Sequence, residues 1–148
     1  MSEVAEFRPP MAESVRKLEA VLRQMPDQLD AEELTAHHFC SGIYARELFV
    51  PAGATLVGKT HSQENLFFLL MGEMTFTTDA GPVTVRAPYM AVTKPGTKRA
   101  GFAHTDCLCM NVHHNPDDER DLVLLEDRYI TPEALPAPEP KELLECHG

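Results

Sequence analysis

From residue 43 onward the apolar positions fall in short runs broken by glycine and proline, many of them alternating with polar residues. The runs are Ile43–Val50, Thr55–Lys59, Asn65–Met71, Met74–Thr78, Val83–Ala87, Met90–Thr93, Lys98–Ala103 and Leu108–His113. Turn signals separate them at Pro51-Ala52-Gly53, Met71-Gly72-Glu73, Asp79-Ala80-Gly81-Pro82 and Lys94-Pro95-Gly96-Thr97. Eight strands in about 70 residues predict a small antiparallel barrel or double-sheet sandwich. Upstream the period changes. Met11, Val15, Leu18, Leu22 and Met25 follow a 4-3-4-3 spacing, which predicts a helix over 11–25 with one narrow apolar stripe, stopped by Pro26. Two heptads are too few for an independent coiled coil, so the stripe docks either on its own domain or on a partner subunit.

Residues 26–42 are polar and read as irregular. After His114 come an acidic stretch (Asp117-Asp118-Glu119-Arg120-Asp121), the apolar Leu122–Leu125, and a tail rich in proline at Pro132, Pro136, Pro138 and Pro140. Such a tail cannot keep regular structure throughout. The expected organisation is an N-terminal arm (1–42), a β domain (43–130) and an extended tail (131–148).

The chain has 148 residues, enough for one domain with a sizeable core, and a formal net charge of −10. Acids outnumber bases 8 to 4 in residues 1–42 and 10 to 3 in residues 115–148, whereas the middle holds 5 acids and 6 bases. An acidic chain offers no broad surface for phosphate backbones, which argues against nucleic-acid binding. The longest apolar run, Leu66–Met71, is far below the roughly 20 residues of a membrane span. The first ten residues carry no basic region followed by an apolar one, so an intracellular setting is expected. Cys40, Cys107, Cys109 and Cys146 form no CxxC pair and read as reduced thiols.

The stretch Gly58-Lys59-Thr60-His61-Ser62-Gln63-Glu64-Asn65, six residues before Gly72, resembles the first motif of the cupin superfamily; Pro95-Gly96-Thr97-Lys98-Arg99 resembles the second. In that alignment Gln63 stands at the second histidine of the first motif and Asn65 at its glutamate. Arg99 stands at the histidine of the second motif and Ala103 at its asparagine. Residues 42–130 also resemble cupin-like proteins encoded by tailed phages, through Gly42-Ile43-Tyr44-Ala45-Arg46-Glu47, Pro51-Ala52-Gly53, Gly58-Lys59-Thr60-His61, Ala87-Pro88-Tyr89 and the Pro95–Arg99 turn. The resemblance implies a mainly β fold, a single cupin-like antiparallel β-barrel (jelly roll). It also implies, for catalytic members, a divalent metal held by three histidines and a carboxylate.

In a strand, His61, Gln63 and Asn65 share a face and Glu64 points away. One imidazole and two neutral amides make a poor metal site, so no cofactor is expected. The alternative metal set is His61, His104 and, if a bulge turns it inward, Glu64. His61, Gln63, Asn65, Arg99 and His104 are the binding-pocket candidates. On the last strand the apolar Leu108, Met110 and Val112 are expected to face the core, which would turn His113 outward. Lys94, Lys98 and Arg99 around one tight turn form either an anion pocket or ion pairs with the acidic flanks.

The leading functional expectation is a non-enzymatic structural or assembly protein, a virion component of a tailed phage. It would be held as a homo-oligomer through Met11, Val15, Leu18, Leu22 and Met25 and touch other virion or assembly proteins. The rivals are a metal-dependent isomerase, epimerase or dioxygenase acting on a small anionic substrate, and a module that binds a sugar or metabolite without turning it over. No membrane partner is expected.

Overall fold

The computed structural model describes residues 11–25 and 28–132. Residues 1–10, the tail from residue 133 with Cys146, and the side chain of Met11 lie outside the described part. Helix α1 (Met11–Leu22) precedes nine strands: β1 (Thr35–Cys40), β2 (Ile43–Val50), β3 (Thr55–Val57), β4 (Asn65–Met71), β5 (Glu73–Thr78), β6 (Gly81–Arg86), β7 (Tyr89–Thr93), β8 (Ala100–Ala103) and β9 (Cys107–His114). Helix α2 (Leu122–Tyr129) follows them. All strand pairs are antiparallel, in a five-stranded sheet ordered β1-β2-β9-β4-β7 and a four-stranded sheet ordered β3-β8-β5-β6.

The two sheets share one apolar core. Val50, Leu69, Cys107 and Cys109 from the first meet Met74, Phe76 and Ala103 from the second. Strand β9 is central to the larger sheet, paired with β2 on one side and β4 on the other. Its buried positions are Cys107, Cys109 and His113, with Leu108, Met110 and Val112 on the other face. This corrects the outward placement of His113: the residue is 4 % exposed. The expectation fails because β9 is apolar on both faces along most of its length, so hydrophobicity alone does not select the inner one.

The turn from β4 to β5 depends on Gly72. Its φ is +92°, and a Cβ there would stand 2.3 Å from the Asp106 carbonyl oxygen. No side chain fits that approach.

Residues 35–40, expected to be irregular, pair in full register with β2. The local sequence, Thr-Ala-His-His-Phe-Cys, has too few aliphatic positions to announce a strand, and pairing with β2 supplies the stability. Strand β8 is shorter than expected and leaves Lys98 and Arg99 in the preceding turn. Helix α2 was also not anticipated within the apolar stretch Leu122–Leu125. Asp121 caps it, its carboxylate accepting from the Val123 and Leu124 amides at 2.9 and 3.3 Å. Leu125 and Tyr129 turn inward against Tyr44, while Val123 is 69 % exposed.

Helix α1 forms but ends at Leu22 rather than at residue 25, and it is rotated relative to the expected stripe. Val15, Ala20 and Val21 are buried and Leu18 is exposed, so Val15 is engaged within its own chain. Glu19 faces the protein and meets Lys98 Nζ at 2.8 Å, with the two side chains 11 % and 2 % exposed. Lys98 also donates to the Gly58 carbonyl at 3.0 Å. The acidic arm is thus tied to the basic turn inside one chain.

Removing one member of a buried ion pair strands the other, at a cost of about 3–5 kcal/mol, whereas replacing both by apolar residues restores much of it. Lys98→Met is therefore expected to lower the urea midpoint strongly. Glu19→Leu combined with Lys98→Met should recover most of the loss. Additive losses in the double variant would show that the two side chains do not act as a pair.

Candidate functional site

At one end of the sandwich the inner face changes from apolar to polar. Two adjacent rows across the five-stranded sheet carry it. The outer row pairs Tyr44 with His113 and Asn65 with Thr93. The next pairs Arg46 with Asn111, and Phe67 lies beside both Asn111 and Ala91. The rows are stitched by Asn111 Nδ2, which donates to Asn65 Oδ1 at 2.9 Å. Alternation along each strand produces the arrangement, since residues two apart share a face.

His61 closes this end. It precedes β4, forms an isolated bridge with Ile130, and its carbonyl accepts from the Gly96 amide at 2.8 Å. The segment around α2 holds it there: the Tyr129 hydroxyl donates to the His114 carbonyl, Ser62 N donates to the Tyr129 carbonyl at 2.8 Å, and Thr131 N donates to the Thr60 carbonyl at 2.8 Å. The rings form a continuous group. His113 stacks on Tyr129 at 4.7 Å and on Tyr44 at 5.7 Å, and His61 lies 5.5 Å from His113. Tyr44 also bonds His37 Nδ1 at 2.8 Å.

Burial pushes the pKa of both His61 and His113 down to about 4. The positive charges of Arg46 and Arg99 contribute less to that shift at His61, and His61 and Arg46 contribute less at His113. Both imidazoles are therefore neutral near pH 7. Burial also raises the Cys107 and Cys109 thiols, the latter to about 12, which keeps them protonated and unreactive.

The five binding candidates do not converge as one pocket. His61, Asn65 and Arg99 lie toward the polar end, with Arg99 placed 5.3 Å over the Phe76 ring. Gln63 is exposed, and its carbonyl accepts from Asn65 Nδ2 at 3.3 Å. His104 is on the outer face of the smaller sheet, 2.6 Å from Thr75 Oγ1 and edge-on to Phe102. Glu64 is exposed and paired with Lys94 at 2.7 Å. The set His61, Glu64 and His104 is thus dispersed, because no bulge turns Glu64 inward and the alternation of β8 turns His104 away. The residues missed from sequence are Tyr44, Arg46, Thr93, Asn111 and His113. Their signal is the period-2 spacing of polar positions at the ends of three strands, legible once the inner face is known.

The donor set does not fit the divalent metal of catalytic cupins. No group of three or more His, Cys, Asp or Glu among the described residues is placed to hold an ion. The two imidazoles stand among amides and under the field of Arg46, joined at His61 by that of Arg99, which opposes a cation. A groove of about 250 Å³ between α1 and the segment after α2 includes Glu19, Lys98, Lys59 and Glu126 in its lining, and these charges pair with one another.

The chain matches no known family and no curated protein by sequence. Among solved structures it is similar to a protein of Neisseria meningitidis, with 16 % identity and a TM-score of 0.46, over 66 % of this chain and 95 % of that one. It is also similar to a cupin-2 domain protein of Shewanella frigidimarina, with 11 % identity and a TM-score of 0.46, covering 66 % and 91 % of the two chains. A cupin superfamily protein of Desulfitobacterium hafniense gives 9 % identity and a TM-score of 0.48, covering 64 % and 85 %.

A histidine whose folded pKa lies below its unfolded value stabilises the fold fully above about pH 6.5 and progressively less as pH falls toward 4. The two neighbouring rings titrate as a pair, with a combined loss on the order of a few kcal/mol. Urea midpoints at pH 7 and pH 4.5 are expected to differ more for the wild type than for the His61→Gln, His113→Gln double variant. Equal pH slopes in the two proteins would contradict the buried neutral pair.

Proposed function

We propose that this chain is a cupin-like, non-enzymatic assembly protein whose working form joins two copies through the outer face of the five-stranded sheet. The observation that carries the reading is the apolar character of that face. Met90 is 56 % exposed, Val92 47 %, Leu70 47 % and Ile43 41 %. Registers place Leu66, Phe68, Met110 and Val112 between them, so the patch is continuous. Strands spaced about 4.8 Å apart and rising about 3.4 Å per residue give the face an extent on the order of 20 by 20 Å. That extent, about 400 Å², is the size at which an exposed apolar patch is often a functional surface.

A second copy suits the face better than a charged or polar partner does. Glu47 is the one acidic residue in the patch-bearing strands β2, β9, β4 and β7, and it is engaged by His38 on β1 at 3.3 Å. An apolar surface of this kind is self-complementary about a two-fold axis. Met90 and Val92 lie on β7, an edge strand whose sequence, Tyr-Met-Ala-Val-Thr, has no charge or proline to discourage pairing. The sheet face is offered in place of the helix stripe because Val15 of that stripe is buried within its own chain, although Leu18 stays exposed. The resemblance of residues 42–130 to tailed-phage proteins gives a setting for such an assembly, in a virion or on the way to one.

Size-exclusion chromatography with light scattering tests this. The wild type is expected at twice the chain mass, and the Met90→Lys, Val92→Lys variant at the chain mass with its melting temperature at high dilution unchanged. A wild type that runs as a monomer at tens of micromolar would overturn the reading.

A further inference from the structure

Several cations among the described residues are matched to carboxylates. Lys59 meets Glu126, Arg86 meets Glu73, Lys94 meets Glu64, Lys98 meets Glu19 and Arg128 meets Asp117. Arg46 and Arg99 are among those that are not, and unlike the exposed Lys17 and Arg120 they are partly buried. Neither lies within ion-pair distance of a carboxylate among the described residues. One amino group of Arg46 donates to Thr35 Oγ1 at 3.3 Å, and Arg99 rests over the Phe76 ring. These contacts leave most of the five N–H donors of each guanidinium without a protein acceptor.

Two further groups at the same end are unsatisfied. The hydroxyl of Thr93 and Nδ1 of His113 are buried without a hydrogen-bond partner, in residues 3 % and 4 % exposed. A buried polar group left unpaired is costly, and native interiors keep few of them. Thr93 lies opposite Asn65, which bonds to Asn111, the partner of Arg46; His113 lies opposite Tyr44, two residues from Arg46 on one face. The unsatisfied groups and the unmatched cations therefore belong to one region.

We propose that this polar end is a binding site for a small oxyanion, a carboxylate or a phosphate group, held by Arg46 and Arg99 and completed by the Thr93 hydroxyl and His113 Nδ1–H. The planar guanidinium fork matches two oxygens of such a group, and charge-assisted hydrogen bonds are the strong ones. A hydroxyl and the Nδ1–H tautomer of a neutral imidazole supply further donors. Burial is the main reason both histidines are neutral; the smaller contribution, from the Arg46 charge on both and the Arg99 charge on His61, also favours an anion. His61, Arg46 and Arg99 each retain some exposure, so the ligand enters from the end of the sandwich that His61 closes. Apart from His61, which lines the entrance, and Arg99, which binds as a cation, the site uses strands β2, β7 and β9 rather than the two motif segments.

Calorimetric titration and thermal melts with inorganic phosphate and with succinate, against chloride at matched ionic strength, test the proposal and separate the two sources. Saturable binding of at least one anion is expected. A ligand at one hundred times its Kd raises the melting temperature by about 5–10 °C for a chain of this size. Arg46→Gln and Arg99→Gln should each weaken binding at least tenfold. Thr93→Val, which removes an unpartnered hydroxyl and keeps the shape, should fold at least as stably as the wild type and still bind more weakly. Phosphate and succinate both indistinguishable from chloride, or affinities unchanged in Thr93→Val and both arginine variants, would overturn it.

Discussion

The structure turns on which face of β9 points inward. That strand is the centre of the larger sheet, and its pairings with β2 and β4 fix the orientation of three strands at once. With Cys107 and Cys109 inward, the small thiol side chains leave room for Leu69, Met74 and Phe76 in the core. The same choice carries Asn111 and His113 to the interior and sends Leu108, Met110 and Val112 outside. A slip of one residue would exchange every side chain between the faces, placing Leu108, Met110 and Val112 where Cys107, Cys109, Asn111 and His113 now stand. The polar interior end and the apolar outer face are two consequences of one register.

The remaining elements complete that arrangement. Helix α2 returns to the end of the sandwich, where Leu125 and Tyr129 bury against Tyr44 and hold His61 beside His113. Helix α1 is fastened by the Glu19–Lys98 pair, so part of the acidic flank is neutralised within the chain. The site and the sheet face do separate physical work. Charges and unsatisfied donors gather inside, while the outside offers apolar area and almost no charge.

Much of the β domain is legible in the sequence because its strands are short, alternating and bounded by turn residues. Helix α1 is legible through its spacing, although its rotation is not: the buried Glu19 is matched by Lys98, a partner nearly eighty positions away that no local pattern reveals. Strand β1 and helix α2 escape for a related reason. Register with β2 stabilises the first, and contacts of Leu125 and Tyr129 with Tyr44 stabilise the second. The site is the least legible part. His61 and Asn65 stand in a recognisable motif, but Arg46, Thr93 and His113 come to one end of the same sheet only through strand pairing. The rule that aliphatic residues face the core misleads at Leu108, Met110 and Val112, where the outer face is itself apolar.

The claim that both faces of this sheet are committed, one to a polar interior and one to a second copy, is tested most directly by methionine oxidation. Dilute peroxide followed by mass spectrometry reads each methionine separately, and the rate follows exposure. Met74 is 3 % exposed in the core and Met90 is 56 % exposed on the sheet face. The account predicts slow oxidation of Met74 at every protein concentration, and oxidation of Met90 that slows several-fold as concentration rises into the range where copies associate. A Met90 rate independent of concentration from nanomolar to hundreds of micromolar would contradict it.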